Sequence, residues 1–316
     1  MKDLSKVARL RVDADSDQQR IDNFLMRCCK GVPRSHIYRI LRTGEVRVNS
    51  RRVDATYRVK DGDLVRVPPI RTAERAAAAP PPALALPILY EDPSLLAVDK
   101  PSGIAVHGGS GISFGVIERL RASRPELSFL ELVHRLDRET SGVLLLAKKR
   151  PALTAMHAAL REGQTQKRYI TLVKGKWRDA KRTVSLPLHK YVNAAGERRV
   201  SVEPQGRESK TLFRKERMVG PYTLLSAELL TGRTHQIRVH LSHLGFPIAG
   251  DAKYGDFEWN RALARQGLKR MFLHAAQLSF QHPSLGTTVT LNSPLPEALS
   301  SFIARLDAQS EDDAAL

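Results

Sequence analysis

Cysteine is nearly absent: the 316 residues hold two, the adjacent Cys28 and Cys29. Neighbouring Cα atoms lie about 3.8 Å apart, short of the usual disulfide span, so both read as thiols of a reducing compartment. With no second cysteine pair at ligand spacing they make a poor metal site. Also missing is any stretch of about 20 apolar residues free of proline and charge, which argues against a membrane span. The N-terminus, MKDLSKVARLRVDADSD, lacks the apolar core of a secretory signal, so a cytoplasmic protein is expected. Acidic residues are scarce: 33 Asp and Glu stand against 51 Lys and Arg, a formal charge of +18. That excess attracts a polyanion over nanometres, and RNA, DNA or an acidic membrane surface are the candidates.

The patterns of nucleotide cofactors and catalytic metals are lacking too. VHGGSGISFG, 106–115, puts glycines between a predicted strand and a predicted helix, where a phosphate can sit. Their spacing fits neither G-x-G-x-x-G nor the P-loop with its lysine, so the segment reads as a loop near a site. A methyltransferase would need such a glycine loop for its nucleoside cofactor. His240 and His243 are helix neighbours, but His235 is out of register with them and no glutamate completes H-E-x-x-H. Neither a cofactor nor a metal is expected.

What is present falls into two modules, as the length predicts. TAERAAAAPPPALALP, 72–87, has the composition of a linker, partly extended in the polyproline manner. Before it, residues 1–72 carry 17 basic and 9 acidic side chains, a denser positive charge than the remainder. This front module, 1–71, reads as two helices and then short strands. Ile21, Phe24, Leu25 and Cys28 make an apolar stripe that Gly31 ends; a second helix follows Pro33, turns Ile37, Ile40 and Leu41 inward and stops at Gly44. Alternation then predicts strands at 45–49 and 63–68, the second after the turn at Asp61 and Gly62. The outer face of the second helix offers Arg34, Arg39 and Arg42. Charge alone leaves open whether it reads an RNA backbone or is an ordinary solvated surface.

The second module, 88–307, mixes predicted strands at 95–100, 143–149 and 167–175 with helical segments. One helix is expected over 234–245, capped by Thr234 and closed by Gly245. No repeat period is evident. The acidic end, 308–316, is expected to be disordered.

The segment HRLDRETSG, 134–142, sets Asp137 between Arg135 and Arg138 just before the apolar run VLLLA. An aspartate before Thr-Ser-Gly reads first as a turn or cap residue. Its place at the mouth of a buried strand, near a sheet edge, also suits a functional site. A glycosidase would need two carboxylates; Glu139 is close enough in sequence to leave that pair open. TGRTHQIR, 231–238, supplies a second arginine-bearing loop at a helix start and can offer Arg233 as partner to Asp137.

Two resemblances extend this reading. The order RIDNFL, SHIYRILRTGEVRVN and VKDGDLVRV, about 18–68, resembles the alpha-L (S-four type) RNA-binding module, which implies RNA contact through Arg34, Ser35, Tyr38, Arg39 and Arg42. KPSGIAVHGG, VHRLDRETSGVLLLAKK, QKRYITLVKG, TGRTHQIRVHLSHLGFPIAGDAKYG and FLHAAQL, found in order between 100 and 278, resemble the successive motifs of the RluA family of pseudouridine synthases. Departures are confined to the linker and 178–206. The resemblance implies an α+β fold, with a mixed, largely antiparallel central sheet and flanking helices behind the small RNA-binding domain. It also implies isomerisation of uridine to pseudouridine in large-subunit ribosomal RNA, free or in assembly intermediates, by a cofactor-free protein expected to be a monomer. Asp137 would be the catalytic carboxylate, Tyr169 the ring stacked on the flipped base, Leu273 the apolar wall opposite, and Arg135 the side chain that fills the gap left in the RNA. Arg233 is expected to pair with Asp137 and keep it charged where water is excluded. A non-catalytic RNA-binding protein working through the alpha-L module is the alternative. Whether Asp137 attacks the sugar, attacks the base or removes a sugar proton stays open.

Overall fold

The structure is a computed structural model that describes residues 6–29, 31–70, 82, 84–109 and 113–315. Its contacts divide the chain into two compact units, Met1–Pro80 and Pro81–Leu316. The division falls inside the stretch expected to be a linker, of which 72–81 and 83 lie outside the described residues.

In the first unit β1 (Ala8–Arg11) is followed by α1 (Ile21–Cys28), α2 (Arg34–Arg42), β2 (Arg47–Val48), β3 (Arg51–Arg52) and β4 (Leu64–Val67). The strands form one antiparallel sheet in the order β1-β4-β2-β3. The predicted stripes are what the helices bury: Ile21, Phe24 and Leu25 from α1 and Ile37, Ile40 and Leu41 from α2 share a core with Val48, Val65 and Val67. Cys29, just past α1, joins that core while Cys28 is only partly buried; burial pushes the Cys29 thiol up to about 11, as suits an inert packing residue. The strand expected over 45–49 is only two residues long, because Asn49 and Ser50 take positive φ (48° and 68°) and turn the chain. The Asn49 amide fixes that turn by donating to Asp63 Oδ1 and accepting from the Leu64 N–H.

The second unit runs β5 (Ile88–Glu91), β6 (Leu95–Lys100), α3 (Val116–Ser123), β7 (Glu131–Leu132), β8 (Ser141–Ala147), α4 (Arg150–Arg161), β9 (Thr165–Val173), β10 (Lys181–Ser185), β11 (Leu188–Val192), β12 (Arg198–Val202), β13 (Lys210–Val219), β14 (Tyr222–Leu229), α5 (Gln236–His243), α6 (Phe257–Arg265), β15 (Leu273–Gln281), β16 (Thr288–Asn292) and α7 (Glu297–Ala315). A ten-stranded sheet of order β10-β13-β14-β9-β15-β8-β6-β5, with β16 beside β15 and β7 beside β8, forms its frame. Within it the β8–β15 pair is parallel and the other pairs are antiparallel, the mixed, largely antiparallel sheet that was expected.

The unbroken apolar run of β8 follows from burial on both faces. Leu144 and Leu146 pack with Val116, Ile117 and Leu120 of α3, whereas Val143, Leu145 and Ala147 pack with Ala152 and Met156 of α4. At its start Gly142 has φ 112°, and a Cβ there would lie 2.2 Å from the Ala275 carbonyl oxygen. Only glycine lets β15 approach so closely. Beside it Ser141 Oγ donates to His274 Nδ1 and accepts from Arg270, while His274 Nε2 meets the Ser293 carbonyl, so the serine and histidine of the two motifs clamp one pairing.

Two expectations need correction. The helix expected over 234–245 begins later, with His235 rather than Thr234 at its N-cap, because His235 itself takes a left-handed conformation at φ 54°. The end expected to be disordered from 308 continues α7 to Ala315; no Gly or Pro stops the helix. Its Leu299, Phe302, Ile303 and Leu306 pack with Leu172 and Phe272. The glycines of 106–115, read from their spacing as a loop, are held at two points, where Glu118 accepts from the Gly108 and Gly115 amides; 110–112 lie outside the described residues.

Candidate active site

The side chain at the centre of the site owes its place to two loops tied together. At the end of β6, the buried Lys100 donates through Nζ to the carbonyls of Pro101 (2.9 Å), Ile104 (2.8 Å) and Arg138 (3.1 Å). Burial draws its ammonium down to about 8. Gly103 N–H and Ser102 Oγ add bonds to the Arg138 and Glu139 carbonyls. Asp137 therefore opens a tight turn, its carbonyl accepting from Thr140 N–H, whose far side is stitched to a second loop. On the other flank the His134 imidazole accepts from Leu145 N–H, and burial together with the Lys167 cation lowers its pKa to about 4. The turn reading of HRLDRETSG holds for the backbone; the Asp137 side chain does something else.

That side chain lines a cleft of about 640 Å³. Asp137 Oδ2 accepts from Arg238 Nη1 at 3.0 Å. Arg238 is in turn gripped on its other edge by Asp251, with Nε–Oδ2 and Nη2–Oδ1 both 2.8 Å, a bidentate pair. Backbone amides of Lys253 and Tyr254 also donate to Asp251 Oδ1. Side-chain exposures of 7% for Arg238, 1% for Asp251 and 23% for Asp137 rank the triad: the inner pair is sealed and the outer carboxylate meets the cleft. Burial alone would pull the guanidinium down, yet the two carboxylates raise it; burial would push Asp251 up, and Arg238 holds it below the usual range. One arginine thus carries a fixed positive charge between a sealed aspartate and one that faces the cleft.

Arg233, the expected partner of Asp137, is not that arginine. It is exposed at the rim of the cleft, with Nε donating to the Glu208 carbonyl at 3.1 Å. The late start of α5 explains the exchange: Gln236 holds Arg233 N–H and Thr231 at the loop, and the first turn of α5 then carries Arg238 inward. Arg238 and Asp251 both lie in the quoted motif and were passed over. A sequence signal existed in the second arginine of RTHQIR, two residues into the helix, but Asp251 in GDAKYG reads as a turn residue.

The remaining site residues converge. Tyr169 on β9 is buried at the cleft, where burial and then Asp137 raise its phenol. Its cross-strand partners are Ala227 and Ala275, small residues that leave the ring uncrowded on that face of the sheet. Leu273, two residues before Ala275 on the same face, forms apolar wall beside it. Arg135 is exposed at the rim, and its side chain has no ion pair or hydrogen bond among the described residues. Lys167, two residues before Tyr169, brings into the cleft a further cation with no ion pair among the described residues, its ammonium lowered by burial. Asp137 is the one carboxylate among the residues lining the cleft; Glu139 pairs instead with Arg138 Nε at 3.1 Å. The two-carboxylate arrangement of a glycosidase is therefore not assembled here. His240, from the histidine cluster, is buried between Ser209 Oγ and Thr211 Oγ1.

In the first unit, α2 exposes Arg34, Ser35, Arg39 and Arg42. Tyr38 is less free than expected: its hydroxyl donates to the buried Asp22 at 2.7 Å, and Arg34 lies over its ring at 5.4 Å. Arg39 meets Glu45 at 3.4 Å, whereas Arg42 has no partner among the described residues.

A guanidinium-held carboxylate, a buried tyrosine and the cations Arg135, Lys167 and Arg233 thus line one cleft on a largely antiparallel sheet, an arrangement able to receive a base taken out of its stack. The RNA pseudouridylate synthase family matches residues 94–243, the S4 domain matches 19–65, and the chain belongs to the pseudouridine synthases, which are isomerases. Ribosomal large subunit pseudouridine synthase C of Escherichia coli (strain K12) is 53% identical over 93% of this chain and 95% of that protein. The protein of that name from Pasteurella multocida (strain Pm70) is 49% identical over 96% and 95%. Among solved structures, human RNA pseudouridylate synthase domain containing 1 and 4 align with TM-scores of 0.57 and 0.58 at 26% and 25% identity, covering 69% of this chain and 87% and 92% of theirs. No helix among the described residues is long and apolar enough to cross a membrane.

Proposed function

We propose that this protein isomerises uridines of large-subunit ribosomal RNA with Asp137 as the catalytic carboxylate, and that it does so in the cytoplasm as a monomer. The observation that carries the reading is the fixed triad: Asp251 holds Arg238, and Arg238 holds Asp137 at the floor of a cleft whose wall is Tyr169. The bond from ribose C1′ to N1 breaks, the base turns, C1′ joins C5, and the C5 proton is lost as N1 gains one. No water is activated, so one carboxylate suffices. Tyr169 and Leu273 receive the flipped base, whose extraction from the stack costs roughly a few kcal/mol, and a stacked ring returns about 1–3 kcal/mol of that. Arg135 enters the gap in the RNA, and Arg233 and Lys167 meet phosphates. Pseudouridine mapping of ribosomal RNA from cells lacking the protein is the test. A defined set of large-subunit sites disappears and returns with the wild-type gene; an intact large-subunit map with sites lost from other RNAs would overturn the target.

The face of α2 that carries Arg34, Ser35, Tyr38, Arg39 and Arg42 docks on the backbone of that RNA. Arg42→Ala, which removes an unpaired cation, lowers RNA affinity and reduces the slope of log affinity against log salt by about 1, with turnover at saturating RNA unchanged. Salt-titrated binding measurements check this; an unaltered slope would make the face ordinary solvated surface.

A further inference from the structure

Asp137 has a second oxygen, and a second group faces it. Oδ2 is held by Arg238, while Oδ1 has His235 Nε2 3.9 Å away, too far for a hydrogen bond between them. His235 also lines the cleft, and it is brought there by a left-handed backbone (φ 54°) that side-chain-bearing residues seldom adopt. Its other nitrogen is fully engaged: Nδ1 is 2.7 Å from Tyr254 Oη, and Tyr254 Oη already accepts from Val200 N–H at 3.0 Å. The arrangement that uses every group has the tyrosine hydroxyl donate to Nδ1, which leaves the imidazole proton on Nε2. Tyr254 is itself pinned, with the Arg238 guanidinium 5.1 Å over its ring. A hairpin amide, a phenol and a strained backbone therefore combine to aim one N–H donor at the reaction space beside Asp137 Oδ1, where the donor has no acceptor among the described residues.

We propose that His235 is a further catalytic residue of this site, its Nε2–H donating to a carbonyl oxygen of the target pyrimidine while that base is detached from the ribose; the proposal rests on Asp137 being the reactive carboxylate. When the C1′–N1 bond breaks, its electron pair leaves with the base and charge spreads onto the ring carbonyl oxygens. A fixed donor in an enclosed cleft stabilises that charge without reorganising. The donor must keep its proton, because protonating the detached uracil anion neutralises it and lowers the nucleophilicity that C5 needs to rejoin C1′. Burial lowers the His235 imidazole to about 4, the nearby Arg238 and Lys253 opposing its protonation and Asp137 and Asp251 favouring it, so at neutral pH it holds a hydrogen bond and transfers no proton. In the product the charge is gone and the bond weakens.

The test couples a protein atom to a substrate atom. His235→Asn suits the left-handed backbone but its amide is too short to reach the same point. On an RNA fragment that the wild-type protein converts, this variant loses about 10²-fold in single-turnover rate with affinity unchanged, and His235→Gln, which restores a longer donor, recovers part of the loss. Replacing one carbonyl oxygen of the target base by sulfur, as 2-thiouridine or 4-thiouridine, slows the wild type with one of the two analogues and leaves His235→Asn indifferent to it. Should His235→Asn not fold, Tyr254→Phe keeps the imidazole but frees its tautomer, and the same thio penalty shrinks. Equal thio penalties in wild type and variant, or none in the wild type, would overturn the role of His235. Failure of the Asp137 reading has a different signature, turnover by Asp137→Asn on ordinary uridine.

Discussion

Asp137→Asn is expected to fold, to bind RNA within a few-fold of the wild type, and to convert no uridine. Asparagine has the volume of aspartate and can still accept from Arg238 Nη1 through its carbonyl oxygen, so the 3.0 Å contact survives in shape if not in strength. Arg238 keeps its bidentate partner, so no buried charge is orphaned by the change. What disappears is the negative charge, and no other carboxylate lines the cleft to replace it. The size of the loss carries mechanistic information. A carboxylate that only moves a proton typically contributes about 10²–10⁴-fold, which would leave a measurable residue of activity. A carboxylate that bonds to the substrate leaves nothing on removal. Tritium release from RNA labelled at uridine C5, followed in single turnover alongside a filter-binding curve, reads both quantities. Turnover near the wild-type rate would remove Asp137 from the chemistry altogether.

The part of this site that periodicity and motif order reveal is the part set by local chain properties. The VLLLA run announces a strand buried on both faces, and it is one, with alternate residues in two separate cores. The stripes of α1 and α2 are legible for the same reason: a helix face has a period, and apolar residues obey it. The turn of HRLDRETSG and its glycine are legible as a turn, although only the structure gives the reason for Gly142, the carbonyl of Ala275 pressed where a side chain would be. The choice between Arg233 and Arg238 is not of that kind. Both belong to one loop and helix start, and which points inward depends on the one-residue shift of the α5 N-cap to the left-handed His235. Nothing local predicts that conformation, because its cost is borne by tertiary bonds to Tyr254 and by the packing of α5. Asp251 is hidden by the same logic, since a buried carboxylate looks like a turn aspartate until its partner is known. The helical end of α7 was missed through composition: acidic residues suggest a frayed tail, but the apolar residues at 299, 302, 303 and 306 anchor the helix that runs through them.

That hidden pair makes the second large effect separable into two. Arg238→Met removes a guanidinium that serves two carboxylates, so it should cost stability as well as turnover. The stability cost falls on Asp251, whose carboxylate, 1% exposed, is left without its counter-charge; breaking a buried pair from one side costs about 3–5 kcal/mol. The catalytic cost falls on Asp137, which loses the cation that fixes Oδ2 and compensates its charge in the cleft. Adding Asp251→Asn to Arg238→Met removes the stranded charge, and its amide oxygen still accepts from the Lys253 and Tyr254 amides. The double variant should therefore recover most of the lost unfolding free energy in urea, a coupling of the sign expected when two charges were only tolerable together. Turnover should not recover with it, because Asp137 remains unpaired in both variants. Urea melts and single-turnover rates on the wild type, both single variants and the double variant complete the cycle. Restored stability with activity still low by orders of magnitude would assign Arg238 to the reaction itself; activity rising in step with stability would reduce it to a structural cation and leave Asp137 in need of another partner.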